Sequence, residues 1–424
     1  MSSELNHLLS LASAGKMNRR EFVGRAGALG VSAAMAGAML STAARAEEPK
    51  KGGLMRVGMQ GGSSTDSLDP ALAASEVPFQ VNETWGEKLV DVELNGKLGM
   101  RIAEEVSSNS DATQWMFKIR KGVEYHDGGT VTAEDVVATL KRHTDENTKS
   151  GAQGIVKGIS EMKAEGDMVT LTLNSANADL PFLMADYHLM IQKAGGVANP
   201  TSGIGAGAYK ISEYEPGVRI AFEKFANHWD SSRGHVDQAE VLVINDNTAR
   251  TAAIQSGQIH IMNRIDPKIV ALLAGNTDVV IERAAGPGHY VFIMECTKAP
   301  FDNNDLRMAL KLAINRDEMV DKILGGMGSV GNDFPINAAY PLFDDTIEQR
   351  KFDPAAAAEA YKKSGHDGSP LMLQVAPGAF PGAVEAAQLF QASANAAGIP
   401  LQVKLEPDQT CAARWCRQTA DKPR

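Results

Sequence analysis

Between Phe117 and Val137 the chain reads FKIRKGVEYHDGGTVTAEDVV, and this stretch leaves little freedom in how it can fold. Phe117, Ile119, Val123 and Tyr125 are the apolar members of a short strand and its continuation. His126-Asp127-Gly128-Gly129 has the composition of a turn. Thr132-Ala133-Glu134-Asp135 then has the form of a capping box, in which the threonine hydroxyl accepts an amide proton of the first turn and Asp135 reaches back to the cap. A helix must begin there. Strand, turn and helix therefore follow one another as they do in α/β proteins.

The same alternation recurs along the chain. Leu54–Met59 reads as a buried strand running into the loop Gly61-Gly62-Ser63-Ser64-Thr65, whose small polar residues are expected to leave amides and hydroxyls free. One helix is expected near 79–90, and the alternation Val169-Thr170-Leu171-Thr172-Leu173 gives a strand. Gly203-Ile204-Gly205-Ala206-Gly207 is followed by a strand rather than a helix, so no helix N-terminus is there to hold a phosphate; it reads as a glycine-rich crossing. Leu306, Ala309, Leu310, Ala313, Val320, Ile323 and Leu324 recur at helical spacing, as on a helix half buried against a sheet. Asp353 caps a helix with Pro354 at its first position and Gly365 past its end. Leu371–Val375, an alanine-rich helix from about 383 to 397, and Leu401–Leu405 form a β-α-β unit whose strands should be parallel.

The first 46 residues read as an address rather than as fold. Asn18-Arg19-Arg20-Glu21-Phe22 resembles the twin-arginine export signal, with Gly24 in place of its preferred lysine; an apolar run from Ala26 to Leu40 and Ala44-Arg45-Ala46 follow. Export by the twin-arginine translocase to the periplasm, with cleavage after Ala46, is the expectation. Met17 offers a second start. Of 424 residues with 42 basic and 52 acidic side chains, the remainder would keep a net charge of −13, which disfavours nucleic acid. Cys296, in the apolar run VFIMECT, is expected to be a buried, inert thiol. Three cysteines make no disulfide framework, although Cys411 and Cys416, five apart, could in principle pair.

No catalytic constellation stands out: the sequence has no G-x-S-x-G, H-E-x-x-H, C-x-x-C or P-loop lysine pattern, and its nine histidines are scattered. His126 beside Asp127 reads as a turn pair rather than as metal ligands. No enzyme activity, cofactor or metal is expected.

Five further segments stand in order around the opening stretch. They are Ser67-Leu68-Asp69-Pro70, Trp85-Gly86-Glu87-Lys88-Leu89-Val90, GIGAGAYKISEYEPGVRIAFEKFANHWD (203–230), APFDNNDLRMALKLAINRDEMV (299–320) and FDPAAAAEAYKKSG (352–365). Together they resemble family 5 of the solute-binding proteins, the extracytoplasmic receptors of oligopeptide, dipeptide and nickel importers of the ABC type. The resemblance implies an α/β fold of type II periplasmic-binding architecture, with two lobes and a small additional α/β subdomain. It divides the chain into the signal 1–46, a first lobe from 47–78 and 197–283, an inserted subdomain 79–196, and a second lobe 284–410. The tail 411–424, CAARWCRQTADKPR, fits no earlier pattern, and the chain resembles a family member cut short or frameshifted after Thr410; the second lobe is expected to be incomplete and this form to lose function with it.

The function implied is delivery of di- or oligopeptides, by a monomer, to an ABC permease and ATPase complex in the membrane. Nickel or metal-chelate, opine and oligosaccharide receptors of the same family, and a chemosensory module presenting its ligand, are the alternatives; an exported hydrolase stands behind them. A receptor for peptides of variable side chain must hold the backbone and termini, which asks for main-chain donors, hydroxyls and a roomy interior. Gly62, Ser63, Ser64 and Thr65 supply the first two. Tyr187 and His188 are expected to line the facing side, and Tyr290, Met294 and Glu295 lie just past a second crossing at Gly286-Pro287-Gly288, which suits a hinge.

Overall fold

The computed structural model describes residues 8, 19–28, 49–93, 96–282, 288–337, 343–406 and 417–419. Two compact units are present, one of residues 1–53 with 235–237 and one of residues 54–234 with 238–424. In the first, helix α1 (Arg19–Ala28) carries an Arg25–Glu21 ion pair of 2.7 Å. The Gly52 amide donates to the His235 carbonyl at 2.8 Å, and the Asp237 amide returns to Gly53 at 2.9 Å. The proposed cleavage pattern at 44–46 lies outside the described residues, as do Cys411, Cys416 and most of the crossing at 286–288.

The second unit opens with β1 (Leu54–Met59) and α2 (Glu76–Trp85), followed by a hairpin of β2 (Val90–Val92) and β3 (Leu98–Met100). Next come β4 (Ala103–Ser108), β5 (Gln114–Ile119), α3 (Ala133–Thr144), β6 (Ile159–Glu165) and β7 (Met168–Leu173). These four strands form an antiparallel sheet in the order β4-β5-β7-β6. Phe117, Val169 and Leu171 turn inward from it and meet Val136 and Leu140 of α3 in one core. The helix starts where the capping box placed it: the Thr132 hydroxyl accepts from the Asp135 amide, and the Asp135 carboxylate accepts from the Thr132 amide.

The chain continues through β8 (Tyr209–Glu215), β9 (Arg219–Lys224), β10 (Gln238–Val243), α4 (Asn247–Gln255) and β11 (Ile261–Met262). The strand order is β11-β1-β10-β9-β8, so β1 lies parallel between two strands from far along the chain, with Leu54 opposite Gln238 and Val57 opposite Ile261. A third sheet follows from β12 (Ile293–Met294), α5 (Asn304–Ala313), α6 (Arg316–Lys322), α7 (Pro354–Ser364), β13 (Leu371–Val375), α8 (Ala383–Ala396), β14 (Leu401–Leu405) and β15 (Arg417–Thr419). β13 and β14 are parallel, Leu371 opposite Leu401, and Phe390 of α8 packs over them with Leu306 and Leu310 of α5.

Four local expectations give way. Helix α2 runs over 76–85 rather than 79–90, because Gly86 turns extended and Val90 enters β2. The single amphipathic helix expected after Leu306 is two, since Ile314 is extended and Asn315 caps α6 by accepting from the Glu318 amide at 3.2 Å. Cys296 is exposed: β12 ends at Met294, and a turn closed by the Lys298 amide on the Glu295 carbonyl carries the thiol outside. The tail contributes β15 between β12 and β13, a three-residue strand too short to show any periodicity in sequence.

Candidate functional site

Helix α2 is the spine of the site. Its buried face, Val77, Val81 and Trp85, packs into the core under the β11-β1-β10-β9-β8 sheet with Met59 and Val241. Its far end is fixed by backbone: the Gly207 amide donates to the Trp85 carbonyl at 3.0 Å, and a Cβ on Gly205 would lie 2.4 Å from the same oxygen. This close approach accounts for Gly205 and Gly207 in the crossing. His126 secures them, its Nδ1 accepting from the Gly205 amide at 3.3 Å and its Nε2 therefore donating to the Gly207 carbonyl at 3.0 Å. Burial holds this imidazole below its ordinary pKa, in keeping with the neutral ring the two bonds require.

The other face of α2 presents Glu76 in the first turn and Phe79 one turn on. Glu76 accepts from Nε of Arg264 at 2.6 Å and from the side-chain amide of Asn263. Nη1 of Arg264 donates to the Gly378 carbonyl, between β13 and α8, at 3.0 Å. One guanidinium thus joins α2, the segment after β11 and the third sheet. Lys268 adds a second link, to Glu385 of α8 at 3.0 Å. Tyr290 stacks on Phe380 with ring centroids 4.2 Å apart and planes at 13°. Burial raises the pKa of its phenol; Arg264 lowers it and Glu76 raises it, which puts both charges within electrostatic reach of the ring.

Behind Arg264 lies Arg250 of α4, fully buried and bonded to neutral acceptors alone among the described residues. It donates to the Ile244 carbonyl at 2.7 Å, to Gln60 Oε1 at 3.2 Å and to the carbonyls of Asn263 and Arg264 at 3.3 Å each. It gathers the ends of β1, β10 and β11 at one point. Desolvation lowers its pKa.

The sequence-predicted residues fall into two groups. Gly62–Thr65 leaves β1 beside Glu76 and Val77, and the Val77 amide donates to the Gly61 carbonyl at 3.3 Å. The amides of Gly62 and Ser64 have no partner among the described residues, whereas the Ser63 amide donates to Asp66 at 2.8 Å and the Ser63 and Thr65 hydroxyls bond each other at 3.0 Å. Tyr187 lies on Phe79 with centroids 3.9 Å apart, and Tyr290 stands near Glu76 and Arg264. His188 is engaged elsewhere: it is 6% exposed, its Nδ1 is 2.7 Å from Asp186 and its Nε2 is 2.8 Å from the Ala73 carbonyl. Met294 packs against the core of the third sheet, and Glu295 accepts from the Thr297 hydroxyl at 2.7 Å. Sequence reasoning missed Glu76, Phe79, Arg250, Arg264 and Phe380. The one available signal was a polar pair, Asn263-Arg264, set between Ile261-Met262 and Ile265.

A hollow of about 560 Å³ opens elsewhere, on the antiparallel sheet, lined by Lys118, Arg120, Lys121, Glu104, Asp167 and Trp229 among others. Its lysines are paired with its carboxylates, Lys118 with Glu104 at 2.8 Å and Lys121 with Asp167 at 3.4 Å, and it presents few groups free to select a ligand. Charge and aromatic rings converge instead at α2.

The family described as bacterial extracellular solute-binding proteins, family 5 Middle, matches residues 97–422. The glutathione-binding protein GsiB of Shigella flexneri serotype 5b is 24% identical over 317 residues, 72% of this chain and 60% of its own length. The chain thus spans about three fifths of the curated relatives it matches. Among solved structures, AgaA of A. tumefaciens R10, in complex with agropinic acid, superposes with a TM-score of 0.75 at 22% identity, over 85% of this chain and 74% of that one. DppA of Helicobacter pylori, an ABC transporter-associated periplasmic binding protein in complex with the peptide STSA, gives 0.74 at 20% identity, over 85% and 75%. These likenesses establish the type II periplasmic-binding fold. With the family matched over most of its length, the chain belongs to the bacterial extracellular solute-binding proteins, family 5.

Proposed function

We propose that this chain is the extracytoplasmic solute-binding component of an ABC-type importer and that it takes short peptides at the site built on α2. The observation that carries the reading is the Arg264 guanidinium, bonded to Glu76 on one side and to the Gly378 carbonyl on the other. A ligand held there touches both sides of a junction, as closure around a solute requires. The peptide class is supported by relatives named for glutathione and seen with a tetrapeptide. In this reading 47–78 and 197–283 are one lobe, 79–196 an inserted subdomain and 284–410 the second lobe. Gly62–Thr65, Tyr187 and Tyr290 line the cleft, with His188, Met294 and Glu295 supporting it from behind. The protein is a monomer of the periplasm, exported by the twin-arginine translocase, cleaved after Ala46, and paired with a membrane permease and ATPase.

Calorimetry with mixed short peptides tests the ligand class. Binding at submillimolar affinity or better, roughly −5 to −9 kcal/mol, is expected; silence toward peptides with binding of an opine or a nickel chelate would reassign it within the family. Export is tested by replacing Arg19 and Arg20 with lysine. The precursor should then stay in the cytoplasm, and accumulation of product starting near Glu47 outside it would refute the route.

A further inference from the structure

We propose that His188 is an imidazolium that fastens the start of α2, so that the solute site on this helix tightens when the ring is protonated and loosens when it is not. The inference rests on the reading of α2 as the solute site. Its first support is the pair of partners the ring meets. Nδ1 is 2.7 Å from Asp186 Oδ1, which also accepts from the His188 amide at 2.9 Å, and Nε2 is 2.8 Å from the Ala73 carbonyl oxygen. Burial works against the charge on Asp186, but the bonds from His188 and the Lys88 charge outweigh it and hold the carboxyl below its ordinary pKa, so this partner is an ionised acceptor. The Ala73 carbonyl has no proton to give either. Two such acceptors require an N–H on both ring nitrogens, and only the cationic ring has both.

The second support is where the ring sits. Ala73 is buried, and its carbonyl has no other partner among the described residues. It lies two residues before Ser75, the N-cap of α2, whose side chain makes no bond to the helix. The first turn of α2 thus lacks a side-chain cap, and its approach is held from outside by the Nε2–H of His188. A neutral ring that kept its Nδ1 proton for Asp186 would turn a lone pair on the Ala73 oxygen and push this approach away. The rings add a second hold: His188 lies on Tyr187 with centroids 4.4 Å apart, and Tyr187 on Phe79 of α2 at 3.9 Å. Gly151 closes the remaining side, where a Cβ would stand 2.2 Å from Nε2. The other charges of the cluster are already matched. Arg142 of α3 is paired with Asp69, and Lys88 with Glu83 at 2.5 Å and Asp91 at 3.3 Å. His143 of α3 is kept neutral by burial and by Arg142, its pKa taken down to about 4, while burial and Asp186 raise that of the Tyr187 phenol. His188 is then the group of this cluster whose charge can change over about pH 5 to 8, where histidines titrate. A cation held by two native acceptors stabilises while its proton is bound and ceases to do so as the pH rises through its loss.

The ring nitrogen shifts of His188, followed by NMR in the full chain over about pH 5 to 8, report its protons directly. Both nitrogens should be protonated at the acid end. As the second proton leaves, protection of the Val77 and Phe79 amides against hydrogen exchange should fall several-fold. Calorimetry with glutathione and with the tetrapeptide Ser-Thr-Ser-Ala should show affinity about tenfold lower at the alkaline end, as loss of one charge-assisted bond implies. Either probe should in turn raise the pH at which the ring deprotonates. His188→Gln, which keeps one neutral donor, should flatten both profiles, and Asp186→Asn, which keeps an acceptor oxygen without its charge, should move both to lower pH. A merely structural ring would weaken binding in these variants equally at every pH. A ring with one proton at the acid end, or protection or affinity that does not follow the ring's second proton, overturns the inference and leaves the peptide reading standing. So does a pH dependence that survives in His188→Gln. If neither probe binds at any pH the peptide reading falls, and protection at Val77 and Phe79 still decides whether this proton fastens α2. Should His188→Gln fail to fold, the displacement of the profiles in Asp186→Asn decides.

Discussion

Asp69 shows how much one side chain of this fold carries. Its carboxylate caps the short turn at 70–72, accepting from the Ala71 amide at 3.0 Å, and pairs with Arg142 of α3, both side chains being 8% exposed. Removing one partner leaves a buried charge without compensation, so Asp69→Ala should cost about 3–5 kcal/mol in urea unfolding, whereas Asp69→Asn, which keeps the cap, should cost less. A loss below about 1 kcal/mol would mean the pair is solvated. The neighbouring His143 is buried with its Nδ1 2.6 Å from Ser150 Oγ, and burial, reinforced by the Arg142 charge, takes its pKa from 6.5 down to about 4. In the unfolded chain the ring takes its proton near 6.5, so between that pH and about 4 the unfolded state binds more protons. The stability due to neutral His143 is complete above pH 6.5, falls as the pH descends, and levels off below about 4, a loss of about 3 kcal/mol. His143→Asn should flatten this part of the pH–stability curve. Identical curves for the two proteins would refute it. Asp69 was visible in sequence through the L-D-P segment; Arg142 and His143 were not, because a charged pair on a helix reads as a solvated face until its partner, seventy residues away, is known.

Elements were legible where their ends carry chemistry. The Thr132 box and the Asp353-Pro354…Gly365 frame gave α3 and α7 at the observed boundaries, the latter closed by Gly365 at φ +66. Helix α2 starts three residues before the expected position, with Ser75 at its N-cap and Pro78 in its first turn, where a missing N–H costs nothing. The two caps of α3 also differ in weight. Thr132→Ala removes the hydroxyl that accepts from the Asp135 amide and donates to its carboxylate, and should cost about 1 kcal/mol. Asp135 accepts from the Thr132 amide at 3.0 Å and also from the Ala194 amide at 2.7 Å, so Asp135→Ala frees a distant turn as well and should cost about twice as much. Equal costs would show that the Ala194 bond contributes nothing.

At the scale of the whole molecule, the architecture was legible from the order of its segments and the site was not. Glu76, Arg264 and Gly378 lie more than a hundred residues apart, and neither periodicity nor turn chemistry reports such a meeting. The same remoteness shapes how the protein should unfold. The core of the third sheet draws its buried members from Phe301 to Leu401 alone, and the other two cores draw none from that range. Among the described residues, the side-chain bonds seen to cross from the β11 region to α8 and its approach are the Arg264–Gly378 bond and the exposed Lys268–Glu385 pair, the latter worth under about 1 kcal/mol. Two cores so thinly joined should melt apart, giving two calorimetric transitions in the absence of ligand. A solute bound at Arg264 contacts both sides and stabilises only the joined state, by about 2.7 kcal/mol at a hundredfold excess over Kd. The transitions should then rise and converge, and Lys268→Ala should leave this unchanged while Arg264→Gln weakens it. A single transition without ligand, its calorimetric and van't Hoff enthalpies equal, would show that the cores are coupled through packing rather than through this guanidinium.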